Sequence, residues 1–242
     1  MIELNKIHKE DCLEGMKKIE DNSINLVITD PPFKIVQGGA KTKGKNAMGG
    51  TLAQGKSEVS SGTLFKHNDI KLSDWIPEVY RVLEDGGFFY CFINSLNLNE
   101  LLTVAKQSKF KLNNVLVMIK DNCVVNQWYM KNVEYVAFFR KGKAKPLNNR
   151  GIKTATNATM PSKSEKIHPT QKPLDYVQML IENSSQENEI VFDPFMGSAT
   201  TAIAAINANR QYLGFELDDE YYILGNERIN NTYKNKLISH NI

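Results

Sequence analysis

The chain has 242 residues, 41% of them hydrophobic, and a formal net charge of +3, which suits a single α/β domain over residues 1–242 with a full core. No run approaches the ~18 apolar residues of a membrane span, and Met1–Lys6 shows no signal-peptide pattern. Cys12, Cys91 and Cys123 are odd in number and lack metal-ligand spacing, so a reduced, cytoplasmic setting is expected.

In chain order, Asn5–Lys9 reads as a short strand, Asp11–Ile19 as a helix and Asp21-Asn22-Ser23 as a turn. Ile24–Thr29 is β-branched and apolar, as a parallel strand covered on both faces should be. Asp30-Pro31-Pro32-Phe33 follows it directly. Residues 34–68 then carry Gly38-Gly39, Gly44, Gly49-Gly50, Gly55 and Gly62 among scattered lysines and serines. Such a stretch cannot bury much apolar surface, so a mobile loop that orders over a ligand is expected. Within it, Lys34, Lys41, Lys43, Lys45, Lys56 and Lys66 face one acid, Glu58. Ser73 opens a helical pattern with Trp75, Ile76, Val79, Val82 and Leu83 on one side. Asp85-Gly86-Gly87 ends it, and Phe88–Ile93 reads as the next buried strand.

Asn97–Ser108 reads as a helix, and Asn114–Lys120 and Val133–Arg140 as strands joined by a loop bearing Trp128 and Tyr129. Residues 141–167 are polar and lack periodicity. Between 140 and 172, Arg140, Lys141, Lys143, Lys145, Arg150, Lys153, Lys163, Lys166 and Lys172 face only Glu165. Two basic segments on an otherwise acidic body read either as a polyanion-binding face or as solvated loops. Pro173–Asn183 starts a helix with proline in its first turn, Ile190–Asp193 is a strand, and Ala199–Asn209 a helix. Tyr212–Glu216 is a further strand and Asp218–Tyr233 a closing helix. This alternation predicts a Rossmann-like, doubly wound, mostly parallel sheet.

Two segments then lie where strands end, which is where ligands bind in an open α/β sheet. Asp193-Pro194-Phe195-Met196-Gly197-Ser198 is a strand-to-helix turn with small residues where a ligand can approach the backbone. It lacks the G-x-G-x-x-G spacing expected for a pyrophosphate, and an acid stands where that pattern holds glycine. An anion would be repelled there and a cation favoured. Glu216, ending the next strand, can take both hydroxyls of a ribose. A nucleoside with a positively charged tail fits the pair, and S-adenosylmethionine is such a molecule. The competing reading is a tight turn whose Ser198 caps the following helix.

Asp30-Pro31-Pro32-Phe33 suits an exocyclic amine. The amino nitrogen of adenine gives its lone pair to the ring and is a poor nucleophile. Two acceptors on its hydrogens make it more tetrahedral and more reactive. The Asp30 carboxylate can be one, and the Pro31 carbonyl, aimed by the stiff Pro31-Pro32 backbone, the other. Phe33 offers a face for a flipped base. Such direct transfer needs neither a covalent intermediate nor a metal. The bland reading of the four residues is an Asp before a Pro-Pro turn.

Together these segments resemble the amino-group DNA methyltransferases, and their order resembles the β class of that family. There the catalytic Asp-Pro-Pro-aromatic motif precedes the cofactor motif, with a target-recognition region between. Ile167-His168-Pro169-Thr170-Gln171-Lys172-Pro173 is similar to the class's cofactor-contacting motif, and Asp11-Cys12-Leu13-Glu14-Gly15-Met16 to its N-terminal Asp-Cys-Leu segment. Glu216 in Gly214-Phe215-Glu216 matches its ribose-binding acid.

The resemblance implies Asp30, Pro31, Pro32 and Phe33 as the catalytic motif. It implies a cofactor pocket lined by Asp11, Cys12, His168, Thr170, Lys172, Asp193, Pro194, Phe195, Gly197, Ser198 and Glu216. Asp11 also reads as a helix cap, Cys12 as core, His168 as a loop histidine and Lys172 as a solvated charge. The implied partner is double-stranded DNA in a prokaryotic or phage setting, with a homodimer and a cognate restriction endonuclease left open. Residues 141–167 become a small target-recognition region, short enough that the 34–68 loop or a second subunit has to help it.

One departure stands out. The family usually has Gly-Ser-Gly-Thr-Thr where this chain has Gly197-Ser198-Ala199-Thr200-Thr201, and the alanine is expected to adopt helical backbone angles at the first turn. N4-cytosine enzymes more often begin the catalytic motif with serine, so Asp30 favours N6 of adenine. A C5-cytosine enzyme needs a Pro-Cys nucleophile that the chain lacks. RNA and protein-amide methyltransferases place Asn first. A noncatalytic DNA-binding relic of the fold is the alternative of another kind, against which intact Asp30, Phe33, Asp193 and Glu216 argue.

Overall fold

The computed structural model describes residues 2–33, 70–124, 129–143, 145–162, 166 and 171–239. The 34–68 loop, His168, Thr170, Trp128 and part of 141–167 therefore lie outside the described residues.

Eight strands form one sheet: β1 (Lys6–His8), β2 (Ile24–Thr29), β3 (Leu83–Ile93), β4 (Lys111–Val124), β5 (Lys131–Arg140), β6 (Ala155–Ala158), β7 (Ile190–Asp193) and β8 (Gln211–Phe215). Their spatial order is β1-β8-β7-β2-β3-β5-β4-β6. The first five in that order run parallel, β5 is antiparallel to both β3 and β4, and β6 is parallel to β4. The helices are α1 (Cys12–Met16), α2 (Leu72–Val82), α3 (Leu98–Gln107), α4 (Leu174–Ser184), α5 (Thr200–Asn207) and α6 (Asp219–Ser239).

The two-residue side-chain alternation of a strand divides the core into two layers. Leu26 and Ile28 of β2, Phe88, Tyr90 and Phe92 of β3 and Val191 of β7 point to one face, where α4 and α5 cover them. Val27, Phe89, Cys91 and Phe192 point to the other, under α1, α2 and α3. Covering on both faces is why β2 and β7 are apolar runs rather than alternating ones. No described helix is long and apolar enough to cross a membrane.

The fold class matches the sequence reading, and four local expectations are corrected. The α2 helix ends at Val82, and Asp85-Gly86-Gly87 belongs to β3 rather than to a terminating turn. Gly86 N–H donates to the Lys141 carbonyl at 2.9 Å, and Lys141 N–H to the Gly87 carbonyl at 3.0 Å. Between the pairs Ile24–Leu83 and Leu26–Phe88 the extra residues bulge out, with Gly86 at φ +87°, a value glycine accepts freely. The β4–β5 hairpin is longer than expected at both ends. Residues 141–167 contain β6, whose Ala-Thr-Asn-Ala sequence carries no hydrophobic alternation. Finally, Ala199 has φ 61°, ψ 25°, left-handed and not helical, at the N-cap of α5.

Candidate active site

The carboxyl ends of β2 and β7 lie side by side, so Asp30 and Asp193 face one edge of the sheet. Thr29, 1% exposed, donates from Oγ1 to Asp193 Oδ1 at 2.7 Å. Asp193 Oδ1 also accepts the Phe195 N–H at 3.0 Å, and Oδ2 accepts Thr201 Oγ1 at 2.7 Å. These three donors take up most of the carboxylate's acceptor capacity inside the turn. Burial pushes the Asp193 pKa up to about 6, against the opposing pull of its hydrogen bonds. The acid read from sequence as facing a ligand is thus turned inward, and contact from Asp193 to a ligand is left to its backbone.

Glu216 is the acid that stays partly open. Its Oε2 accepts Gly197 N–H at 2.7 Å and its Oε1 accepts Asp218 N–H at 2.8 Å. Burial raises its pKa, and the two backbone donors work the other way. A carboxylate has about four lone-pair sites, so both oxygens keep acceptor capacity for a vicinal diol. The turn between them is pinned at several points. Met196 N–H donates to the Phe215 carbonyl at 2.9 Å, and the Arg228 guanidinium donates to the Ser198 carbonyl. Gly197 (φ 50°) and Ala199 (φ 61°) are both left-handed, which turns the backbone sharply into α5. Ser198 does not cap that helix: its hydroxyl pairs with Thr200 Oγ1 at 3.2 Å. Pro194 is buried, while Phe195 is partly exposed and held edge-on against Trp75 with ring centroids 5.2 Å apart.

The N-terminal segment closes one side. Asp11 Oδ1 accepts Leu13 N–H at 2.8 Å as the N-cap of α1. Cys12 is buried and its thiol pKa is pushed up to about 12, chiefly by burial, so it stays protonated. A Cβ on Gly15 would lie 2.2 Å from the Phe215 ring, so only glycine lets α1 reach β8. Glu216 N–H donates to the His8 carbonyl at 3.1 Å, bringing the end of β1 to the same edge.

On the other side, Pro31 is buried, and Phe33 packs against the Trp75-containing core with part of its surface free. Asp30 is not alone. Lys172 Nζ lies 2.5 Å from Asp30 Oδ2 and 3.3 Å from Glu134 Oε2, and Lys120 Nζ lies 3.2 Å from Glu134 Oε1. The solvated-charge reading of Lys172 is overturned: its side chain is 11% exposed, and the ammonium sits 5.3 Å from the Phe92 ring centroid. Burial pushes the Asp30 pKa above the ordinary value, Glu134 reinforces this, and Lys172 opposes it. Sequence reasoning missed Glu134 and Lys120. Their signal is one acid and one lysine placed near the ends of otherwise largely apolar strands.

A family model described as DNA methylase, N6_N4_Mtase, matches residues 24–227. The chain is similar to type II methyltransferase M2.MboI of Moraxella bovis, 25% identical over an alignment of 255 residues that covers 96% of this chain and 92% of that protein. It is also similar to type II methyltransferase M.HinfI of Haemophilus influenzae, 26% identical over 250 residues, covering 93% of this chain and 68% of the other. Among solved structures, M1.HpyAVI in complex with SAM superposes with a TM-score of 0.68 at 22% identity, covering 92% of this chain and 98% of that one. The cytosine-N4-specific PvuII DNA methyltransferase superposes with a TM-score of 0.66 at 17% identity, covering 95% and 91%. At these identities the superpositions speak to the fold.

Proposed function

The chain belongs to the N6_N4_Mtase family of DNA methylases, and on that premise we propose that it methylates the N6 amine of adenine flipped out of duplex DNA, using S-adenosylmethionine. The observation that carries the proposal is the join between two strand ends. Asp30 follows Thr29, and Thr29 is bonded at 2.7 Å to the acid that begins the Asp193–Ser198 turn. A donor held by that turn and an acceptor held at Asp30 would therefore meet across one rigid edge.

The donor set suits the cofactor. Glu216 has lone pairs left for ribose hydroxyls, Phe195 has a partly open ring, and the Gly197 region brings backbone rather than side chains to the surface. When bound, S-adenosylmethionine supplies a methyl group on a cationic sulfonium that keeps the C–S electron pair on leaving. Asp30 and the Pro31 carbonyl each accept one hydrogen of the target amine, directing its lone pair away from the ring. Phe33 stacks on the base, an interaction worth about 1–3 kcal/mol. After N6 bonds to the methyl carbon it carries one proton too many, and the Asp30 carboxylate is the basic group placed to accept it.

Asp rather than serine at the head of the catalytic motif supports adenine. The N4-cytosine reading stays as the second one, since a cytosine-N4-specific enzyme shares the fold. The test is to incubate the protein with unmethylated bacterial genomic DNA and methyl-labelled S-adenosylmethionine, then hydrolyse the DNA to nucleosides. Label in N6-methyladenine is expected. Label confined to N4-methylcytosine would overturn the adenine assignment, and DNA without label would overturn the activity.

A further inference from the structure

We propose that Glu134 is a positioning residue that draws Lys172 off Asp30 as the target amine arrives, with Lys120 holding Glu134 for that exchange; this rests on the adenine-methylation reading above. The basis is a largely buried row of alternating charges: Asp30, Lys172, Glu134, Lys120. It is assembled from the turn after β2, the segment before α4, β5 and β4. The Lys172 ammonium already spans both acids, 2.5 Å from Asp30 and 3.3 Å from Glu134.

The physical need for a second acid follows from what Asp30 has to do. A carboxylate whose oxygen is held by an ammonium at 2.5 Å has spent much of its acceptor strength on a charge-assisted bond. The neutral amine of a base cannot displace a buried lysine into an empty, low-dielectric site, because an unpaired buried ammonium is costly. Glu134 removes that obstacle. It offers Lys172 a partner along a path that the ammonium already shares, so the charge is never orphaned while Asp30 is released.

The electrostatics suit these two roles. Burial alone would raise the Glu134 pKa, but Lys172 and Lys120 outweigh it and hold Glu134 below its ordinary value. Glu134 therefore stands ionised as a receptor. Asp30 is pushed the other way by burial and by Glu134, so it is the weaker holder of charge. Among the described residues, Asp193 at the end of β7, the buried Cys91 on β3, and Lys166 near Glu134 and Lys120 also act in this field. Of these and Glu134, it is Glu134 whose carboxylate lies within ion-pair distance of Lys172, at 3.3 Å.

The experiment compares wild type, Glu134→Gln, Lys172→Met and the double variant. Each is tested for S-adenosylmethionine affinity by calorimetry and for kcat on unmethylated genomic DNA from about pH 5.5 to 8.5. Glu134→Gln should leave cofactor affinity within about twofold and lower kcat by about ten- to a hundredfold. Its acid limb should move to lower pH, because Lys172 stays on Asp30 and the repelling charge is gone. Lys172→Met should move the acid limb the other way, and adding Glu134→Gln to it should lower kcat no further. Where Glu134→Gln fails to bind cofactor, Glu134→Asp carries the same test with a withdrawn carboxylate.

An unchanged kcat in Glu134→Gln overturns the role. So does a lowered kcat with an unmoved acid limb, which is what a merely structural acid would give. Failure of wild type to label DNA overturns the methylation reading, and this inference with it. An active wild type with an indifferent Glu134 overturns the inference alone.

Discussion

Thr29 Oγ1 donates to Asp193 Oδ1 at 2.7 Å, tying the last residue of β2 to the last residue of β7. The catalytic motif begins one residue after the first, and the cofactor-side turn begins at the second. Beside the β2–β7 ladder, this buried hydrogen bond between residues 164 apart in sequence helps to fix the spacing of the two segments. Trp75 reinforces it from below, edge-on to both Phe89 and Phe195, each such pair being worth about 0.5–1.5 kcal/mol.

This join should be sensitive to pH. The folded-state pKa of Asp193 is raised from 3.8 to about 6 by burial, so its contribution to stability is present below 3.8 and is lost as pH rises through about 6. Asp193→Asn carries no charge at any pH. It should therefore gain on wild type between about pH 4.5 and 7.5, by at most about 3 kcal/mol for a shift of some two units. Urea unfolding of both proteins at the two pH values measures this. Parallel profiles would mean that Asp193 does not titrate in that window.

Ala199 offers a test of stored backbone strain. A left-handed alanine costs roughly 1–2 kcal/mol, while its buried methyl contributes about 0.8 kcal/mol and glycine loses more chain entropy. Ala199→Gly should accordingly be nearly neutral, within about 1 kcal/mol of wild type. Ala199→Val, β-branched at φ 61° and fully buried, should cost more than about 2 kcal/mol. Thermal unfolding of both variants decides it. A strongly destabilised glycine variant would show that packing against α6, not the backbone, fixes this position.

What the sequence showed and what it hid divide along physical lines. β2 and β7 fall at their expected bounds because full burial demands an unbroken apolar run, which is visible without a structure. β6 was invisible because Ala155-Thr156-Asn157-Ala158 is a short strand at the edge of the sheet, paired with β4 alone among the described residues. The Asp30 and Glu216 motifs were legible as local words. Glu134 was not, because its meaning comes from Lys172, nearly forty residues further along the chain. Ala199 misled because glycine-like backbone angles cannot be read from a residue that seldom adopts them.

Glu216→Ala should weaken S-adenosylmethionine binding by about 1–3 kcal/mol, the value of a lost hydrogen-bonded acceptor. Part of that loss would be structural, since Gly197 N–H and Asp218 N–H lose their partner as well. Glu216→Gln separates the two, because one oxygen stays available to a backbone donor. Calorimetry should therefore rank wild type, glutamine and alanine in falling affinity. Equal affinity in all three would remove Glu216 from the cofactor site.

Asp30→Ala should abolish methyl transfer and leave cofactor affinity close to wild type, since the Asp30 carboxylate is engaged by Lys172 while Glu216 supplies the ribose acceptor. Calorimetry and the labelled-DNA assay report the two halves separately. Transfer at about a tenth of the wild-type rate would be too much for loss of a catalytic acceptor, whose contribution is at least about a hundredfold.

The last expectation concerns the β4–β5 hairpin. β5 runs antiparallel to β3, so residues before Tyr135 project beyond the edge that carries Asp30. There Tyr129 is 88% exposed and Met130 60% exposed, and Lys131 follows them on the surface. A contiguous exposed apolar patch beside a site marks an interaction surface, and Tyr129 with Met130 is a candidate for part of one. If the hairpin meets duplex DNA, Tyr129→Ser should weaken binding by about 1–3 kcal/mol through lost stacking, with the salt slope unchanged. Lys131→Ala should instead flatten the plot of log K against log salt by about one unit, because one phosphate contact disappears. Both variants should bind S-adenosylmethionine as wild type does. Fluorescence anisotropy with a labelled duplex over a range of salt concentrations distinguishes them. If both variants bind DNA as wild type does at every salt concentration, the hairpin lies clear of the duplex.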